Sequence, residues 1–205
     1  MPRLEPVPKD QWGEAEAAAV RAAMPAAAAE RFLSAEPDAP RLANGISSML
    51  HHPQLAAAFL NFNGQLLWEP VLDPRLRELA VLRVAWHTRA PYEWVQHVKL
   101  SQRYGVTERE VEAIVDGTDP GWSSLEADVL EATELLLTTH RVDDATWQRL
   151  TEALDARAVI ELLFVVGTYS CLAMVFNGLG VELDPDLDPT AQPMPTAQGW
   201  PSSAP

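Results

Sequence analysis

One long segment, apolar on nearly every side, sets the strongest limit on how this chain can fold. It begins at Ala156 and reads ARAVIELLFVVGTYSCLAMVFNGLG. A helix without a polar face is either buried in protein or spans a membrane. Glu161 and Gly167 interrupt the apolar run, and the sequence has no second segment of this kind. We therefore expect a central buried helix, or one shared with another subunit, which the rest of the chain must cover.

The remaining sequence predicts helices and gives no strand signal. Apolar residues recur at three- and four-residue steps, as they do on the buried face of a helix. We expect an all-α protein with a single helical domain over residues 1–183, of which residues 1–10 form an extended arm. Residues 184–205 are rich in proline and lack periodicity, which predicts a disordered or surface-draped tail.

Charge and cysteine usage limit the environment and the partners. A formal net charge of −14 disfavours the backbone of a nucleic acid and an anionic membrane surface, and we expect neither as a partner. The single cysteine, Cys171, excludes an intramolecular disulfide and a CxxC dithiol, as is typical of a reducing compartment. The first residues, MPRLEPVPKDQW, are polar and broken by prolines, unlike a signal sequence. We predict a cytoplasmic protein.

Residues 73–105 combine an apolar pattern with ionisable residues at helical spacing, and they predict a hairpin of two helices. Asp73 is a good N-cap, and Pro74 suits the first position of the first helix. Pro91 is likewise tolerated at the start of the second helix, and Gly105 suits its C-terminal cap. This hairpin is the expected frame of any functional site.

Glu93 and His97, in the second helix of the hairpin, are the first candidates for chemistry. They are four residues apart, so they project from the same helix face and their side chains can meet. Glu78, in the first helix, is either a further member of that group or a structural carboxylate paired with Arg77 or Arg83. A Glu–His pair at this spacing is also common as a purely structural or surface pair. The pattern alone leaves these readings open.

Three runs of sequence, RLRELAVLRVA, YEWVQH and YGVTEREVEAI, resemble the carboxymuconolactone decarboxylase family, whose relatives include alkylhydroperoxidase D. The resemblance covers residues 66–117 well and the C-terminal apolar helix more loosely. It implies an alkylhydroperoxidase D-like helical fold, in which a central two-helix hairpin packs on a long buried C-terminal helix. It also implies a homo-oligomer, a trimer or a multiple of one, because the relatives are oligomers.

The resemblance separates two branches of chemistry. Alkylhydroperoxidase D relatives carry a glutamate, eleven residues, a cysteine, two residues, a second cysteine, three residues and a histidine. Glu78 and His97 match the ends of that spacing, but Ala90 and Glu93 stand at the cysteine positions. A thiolate is what attacks a peroxide, so peroxidase chemistry is disfavoured. The decarboxylase branch has a glutamate four residues before the histidine, as here, and implies decarboxylation or isomerisation of a small carboxylated or lactone substrate.

We predict three catalytic residues for this chemistry. His97 is the expected proton donor, because imidazole is the side chain suited to proton transfer near neutral pH. Glu93 would orient the imidazole or share its proton, and Glu78 would be the second member of a relay. Burial in an apolar pocket would raise the pKa of a glutamate into a useful range. No cofactor is expected for these steps.

The junction between the two hairpin helices carries candidates for holding a small anionic substrate. Two arginines suit bidentate contact with an anion, and two tryptophans suit the walls of an apolar pocket, although such tryptophans are more often plain core or interface residues. The predicted substrate-binding residues are Arg83, Arg89, Tyr92, Trp86 and Trp94. No metal is predicted, because the adjacent His51 and His52 lack a third ligand at a recognisable spacing.

Three classes of function stay open on the sequence. The favoured one is a cofactor-independent lyase or isomerase. The second is a peroxidase-like antioxidant protein of the alkylhydroperoxidase D type, which the absent CxxC motif disfavours. The third is a non-catalytic binding or assembly member of the family, which the loss of both cysteines would explain.

Overall fold

The computed structural model describes residues 1–187, and helices make up most of this range. Within it there are ten α-helices, two short 3-10 turns and no β-strand, which confirms the predicted all-α class. The helices are α1 (Glu14–Ala23), α2 (Ala26–Leu33), α3 (Asn44–Met49), α4 (Pro53–Trp68), α5 (Pro74–His87), α6 (Pro91–Ser101), α7 (Glu108–Asp116), α8 (Ser124–Thr139), α9 (Asp144–Ala153) and α10 (Ala156–Leu179). The tail predicted over residues 184–205 lies outside the described residues from residue 188 onward.

The described chain forms two compact units. The first comprises Met1–Pro70 and Phe176–Asp184, and the second comprises Val71–Val175 and, within the described range, residues 185–187. Compactness does not show whether either unit folds alone, so the single domain expected over residues 1–183 stays a prediction. Every candidate site residue of the hairpin lies in the second unit.

In the first unit, α1 packs along α4 around a core of small and aliphatic side chains that includes Val20 and Leu60. The C-terminal part of this unit is fastened by Asp184, which is buried. Its Oδ1 accepts a hydrogen bond from the backbone N of Asn44 at 2.7 Å and pairs with Arg41 at 3.2 Å. The residue at the start of the predicted tail is therefore tied to the helical body of this unit.

In the second unit, α5 is the central element, because α6, α7 and α8 all pack on it. Its buried residues include the charged Arg77 and Glu78. In a surface helix such residues would form a polar face toward solvent, whereas here they lie in the interior. A charged pair in such a place needs partners from neighbouring helices. The helices that pack on α5 therefore determine which side chains can pair with Arg77 and Glu78.

The hairpin of α5 and α6 packs on α10, as the resemblance implied. Just before the hairpin, Oε2 of Glu161 accepts hydrogen bonds from the backbone N of Val71 and of Leu72, both at 2.7 Å. Further along α10, Tyr169 packs against His97 of α6. The predicted hairpin on a long C-terminal helix is confirmed.

Local sequence explains where the hairpin helices begin and end. Oδ1 of Asp73 accepts hydrogen bonds from backbone N–H groups of the first turn of α5, the shorter at 2.8 Å, and Pro74 opens the helix. Helix α6 begins at Pro91 and ends at Ser101, and a 3-10 turn then leads to Gly105 at φ +77°. A side chain would be strained at this φ, so glycine closes the hairpin, one short turn after the α-helix itself has ended.

Asp73→Ala is expected to destabilise the protein by about 1 kcal/mol, because the amides at the start of α5 lose their acceptor. Urea denaturation at neutral pH measures this change. Asp73→Asn is the matched control, since its side-chain oxygen can still accept the same hydrogen bonds. It should keep most of the stability that Asp73→Ala loses. Equal losses in the two variants would contradict the capping role.

Helix α10 presents one buried and one open face in the single chain. By length and composition it is apolar enough to cross a bilayer, and half of its most apolar window is buried within the protein. On the open face, Ile160 is 53% exposed and Met174 is 69% exposed. The cytoplasmic location stays a prediction.

Candidate active site

The imidazole of His97 is held by the carboxylate of Glu78, which comes from the preceding helix. Nδ1 of His97 lies 2.7 Å from Oε2 of Glu78. Glu78 is fully buried, and His97 is 9% exposed. A carboxylate at Nδ1 fixes the tautomer of the ring, so Nε2 is the nitrogen left for proton exchange. Among the described residues, Nε2 has no hydrogen-bond partner.

Arg77 pairs with the other oxygen of Glu78. Its Nε and Nη2 donate to Oε1 at 3.2 Å and 3.1 Å, and its guanidinium lies 5.4 Å from the centre of the Tyr104 ring. Burial by itself would raise the pKa of Glu78, but the charges and hydrogen bonds of His97 and Arg77 bring that pKa below its ordinary value. Glu78 is therefore ionised at neutral pH and can orient His97.

Glu93 is the opposite kind of carboxyl group. It is 3% exposed, and neither of its side-chain oxygens has a hydrogen-bond partner among the described residues. Burial raises the pKa of Glu93 from 4.5 to about 8, so it holds its proton at neutral pH. The sequence suggested that Glu93 orients His97 or shares its proton. The hydrogen bond to the ring comes from Glu78, and sharing of a proton by Glu93 stays a prediction. Two carboxyl groups in opposite protonation states are a typical arrangement of acid–base sites.

Tyr169 of α10 faces the imidazole from another side. The centres of the Tyr169 and His97 rings are 4.9 Å apart, and their planes meet edge-on at 88°. Burial, together with the charge of the nearby Glu78 carboxylate, raises the pKa of the Tyr169 hydroxyl, so it remains a neutral donor. Sequence analysis did not single out this residue. The available signal was that it is the one tyrosine in the apolar C-terminal segment.

The predicted aromatic binding residues lie together in the hairpin. Trp94 is buried and Trp86 is partly buried, and their ring centres are 5.7 Å apart. Tyr92 is also buried, and its hydroxyl accepts a hydrogen bond from Nε2 of Gln96 at 3.2 Å. Such packing suits the wall of a pocket and equally a plain core. Contact of these side chains with substrate stays a prediction.

The two predicted anion-binding arginines lie in different surroundings. Nε of Arg83 donates to Oε2 of Glu134 at 2.9 Å, and its Nη1 donates to the carbonyl oxygen of Ile114 at 2.7 Å. Arg83 lines a pocket of about 530 Å³ with residues of α7, the following loop and α8, and none of the residues around the imidazole lines that pocket. Arg89 is exposed, with φ +55°, in the turn between α5 and α6. Binding of an anion beside His97 by these arginines stays a prediction.

The residues around His97 supply proton donors and acceptors. Nε2 of His97 can exchange a proton, and the Glu93 carboxyl and the Tyr169 hydroxyl can each donate a hydrogen bond. Over residues 1–187, no group of three or more His, Cys, Asp and Glu side chains is placed to hold a metal ion. Cys171 is exposed on α10. The proton donors and acceptors around His97 suit proton transfer.

Residues 53–135 match a family model described as the carboxymuconolactone decarboxylase family. The matched stretch includes Glu78, Glu93 and His97 and ends before Tyr169. No curated protein matches the chain.

Solved structures with low sequence identity share the fold. The debrominase Bmp8 is 16% identical with a TM-score of 0.68, and the match covers 89% of this chain and 92% of that protein. A cysteine-to-alanine variant of the same debrominase was solved with 2,3,4-tribromopyrrole. A peroxidase-related protein from Ralstonia eutropha JMP134, described as an alkylhydroperoxidase AhpD core, is 16% identical with a TM-score of 0.65, covering 80% of this chain and 88% of that one. A peroxidase-related protein from Silicibacter sp. TM1040 is 16% identical with a TM-score of 0.63, covering 70% and 77%.

At these identities the structural matches show the fold alone, while the family model shows the relationship in sequence. Both agree with the resemblance of the hairpin sequence. At the two cysteine positions of alkylhydroperoxidase D relatives this chain has Ala90 and Glu93. Residues 53–135 match the model of the carboxymuconolactone decarboxylase family, and the chain has an alkylhydroperoxidase D-like all-helical fold without the CxxC motif.

Proposed function

We propose that this chain is a cofactor-independent acid–base catalyst that decarboxylates or isomerises a small carboxylated or lactone substrate. The observation that carries the proposal is Glu93, a buried carboxyl group without a partner, one helical turn before an imidazole that Glu78 already orients. A buried polar group without a hydrogen bond costs stability. Groups with strongly shifted pKa values in such surroundings are typical of functional sites.

In this mechanism His97 moves the proton and Glu78 keeps the ring in place. The Nδ1–H donates to Glu78, whose carboxylate is held by Arg77, so the ring presents Nε2 to the substrate. For a decarboxylation, Nε2 gives a proton to the carbon that loses carbon dioxide. For an isomerisation, it removes a proton from one carbon and returns it to another. A positioned acid or base of this kind contributes about 10²–10⁴-fold in rate.

The peroxidase-like alternative draws on fold neighbours that are described as peroxidase-related. This chain has Ala90 and Glu93 at the two positions where alkylhydroperoxidase D relatives carry cysteines, so it lacks the thiol nucleophile there. Incubation with a hydroperoxide and a dithiol reductant tests it, and we expect no consumption above a protein-free control. Rapid consumption would favour this alternative over acid–base chemistry.

His97→Gln is expected to lower turnover by on the order of a hundredfold or more, because glutamine keeps much of the shape but cannot exchange the proton. The assay incubates protein in D₂O with a panel of lactone and keto carboxylic acids. Liquid chromatography with mass spectrometry detects a product that has lost carbon dioxide and gained deuterium, or an isomer of the substrate that has gained deuterium. His87→Gln is the matched control: this exposed histidine lies 3.5 Å from Glu134, and its loss should leave turnover unchanged. Wild-type turnover by His97→Gln would contradict the proposal. A wild-type protein inert toward the whole panel, with a destabilised His97→Gln, would favour the non-catalytic alternative.

The proposal includes assembly of several copies through α10. Ile160, Phe164, Gly167, Cys171 and Met174 follow one another at steps of four and three residues, the repeat by which one helix face packs along another helix. Each of these residues is exposed in the single chain. An apolar face of this extent is typical of an interface, and the family resemblance implies a trimer or a multiple of one.

Light scattering is expected to give a mass that is a multiple of 22.6 kDa at micromolar concentration. Met174→Glu, which places a charge on the open face of α10, should lower that mass, whereas the exposed Glu152→Gln on α9 should not. A wild-type protein that is monomeric at micromolar concentration would contradict the assembly.

A further inference from the structure

We propose that the Tyr169 hydroxyl and the protonated carboxyl of Glu93 form a pair of neutral donors for the oxygen of an enolate. The substrate would then be a carbonyl compound in which loss of carbon dioxide, or of a proton, places negative charge on that oxygen. This inference rests on the proposed function and names the class of substrate for the same site. It assigns a binding role to Tyr169, which lies outside the matched family region.

Glu93 supplies the first donor. A carboxyl group that is 3% exposed and has no partner for either oxygen has an unused hydrogen-bonding capacity in a dry environment. In its protonated state it is a donor, and burial favours this state by raising the pKa of Glu93 to about 8. Glu93 and His97 project from the same face of α6, at a spacing of four residues. The carboxyl group of Glu93 therefore lies on the helix face that also carries the imidazole.

Tyr169 supplies the second donor from α10. Its ring lies edge-on to the His97 ring at 4.9 Å, and its side chain is buried. No hydrogen-bond partner of its hydroxyl is found within residues 1–187. Glu78, Arg77 and Glu93 all lie near enough to affect the pKa of this hydroxyl. A tyrosine and a neutral carboxylic acid that share one oxyanion are a known solution for stabilising an enolate.

Arg77, the buried cation of this site, is already paired with Glu78. This pairing favours neutral donors as the partners of a substrate oxygen. Arg77 donates twice to Glu78, and Arg83 lines another pocket. Donors fixed in a buried site stabilise developing charge without reorganising during the reaction. The site therefore offers neutral donors, rather than a further cation, to an oxygen that carries negative charge.

The step balances without an outside oxidant or reductant. The bond between the α-carbon and the carboxylate breaks, carbon dioxide leaves, and the electron pair forms the carbon–carbon double bond of the enolate while the carbonyl oxygen takes the negative charge. Nε2 of His97 then gives its proton to the α-carbon, and the electron pair returns to the carbonyl. His97 regains a proton from water. Overall, one proton replaces carbon dioxide.

Binding of 4-nitrophenolate tests the donor pair without any turnover, because its oxygen mimics an enolate oxygen and its absorbance reports the ionised form. Wild-type protein should bind it, and Tyr169→Phe should weaken binding at least about tenfold, since a donor to a charged oxygen is lost. Glu93→Met, which removes the acid at similar length, should weaken it to a similar extent. Tyr104→Phe is the matched control and should bind as the wild type does.

Equal affinity of wild type and Tyr169→Phe would overturn the inference, as would a wild-type protein that does not bind the phenolate. Circular dichroism checks that each variant is folded, and Glu93→Met carries the test if Tyr169→Phe is not. Phenolate binding that depends on both donors, with no acid turned over, would retain the donor pair and reject the proposed function. Turnover that depends on His97, with no effect of Tyr169→Phe on phenolate binding, would retain the proposed function and reject the donor pair.

Discussion

The free energy of unfolding of the wild-type protein is expected to fall by on the order of 4 kcal/mol between about pH 5 and pH 8, because Glu93 ionises more readily in the unfolded chain. Glu93→Gln is expected to lack this fall. In the unfolded chain this carboxyl ionises near its ordinary pKa of 4.5, whereas burial raises the pKa to about 8 in the folded protein. Between these values folding takes up a proton, so stability falls as the pH rises. Below the lower value both states are protonated and the contribution is fully present. Above the higher value it is lost.

Urea denaturation of the two proteins at a series of pH values measures the difference, because other titrating groups contribute equally to both. Glu112→Gln, at an exposed position of α7, is the control and should follow the wild-type curve. Parallel curves for wild type and Glu93→Gln would contradict a neutral Glu93. The expected curves also mean that Glu93→Gln is the more stable protein at pH 8, as is common when a functional group is removed from a strained site.

Arg77→Met is expected to destabilise the protein by about 3–5 kcal/mol at neutral pH. Both Arg77 and Glu78 are buried, so removal of the guanidinium leaves a carboxylate in the interior with only His97 beside it. The pKa of Glu78 lies below its ordinary value in the intact site. Its stabilising contribution is therefore present above the unfolded pKa and is lost as the pH falls, and the cost of Arg77→Met should shrink in acid.

The double variant Arg77→Met, Glu78→Gln identifies the cause of that loss. If the cost comes from an unpaired charge, neutralising Glu78 should recover part of the stability lost in Arg77→Met. Arg21→Met is the matched control, since Arg21 pairs with Glu14 and Glu30 at the surface, and its unfolding midpoint should barely move. A similar midpoint for both arginine variants would contradict a buried ion pair at Arg77.

Features that depend only on residues close together in the chain could be predicted from the sequence. Asp73 with Pro74, and Pro91, start their helices as predicted, because caps and proline positions depend on neighbouring residues only. The shared face of Glu93 and His97 follows from helical spacing, and both side chains are buried. Gly105 ends the hairpin as predicted, although a 3-10 turn replaces the last part of the α-helix.

Features made by tertiary packing could not be predicted from spacing. The partner of His97 is Glu78 from another helix, and periodicity gives no information on which side chains two helices bring together. The family spacing, rather than the pattern, connected those two residues. Tyr169 approaches from α10 and was missed, because a tyrosine in an apolar helix usually indicates core packing. The surroundings of Arg83 depend on α8, which supplies Glu134.

Carboxyl-¹³C NMR of protein labelled at glutamate gives the protonation states in the site without a substrate. Glu78→Gln and Glu93→Gln assign the two resonances. The proposed acid–base site requires that at pH 7 one buried glutamate is protonated, that its signal vanishes in Glu93→Gln and titrates at about pH 8, and that Glu78 is ionised with a pKa below its ordinary value. A spectrum in which Glu93 is already ionised at pH 6, or in which the protonated glutamate is Glu78, would contradict it.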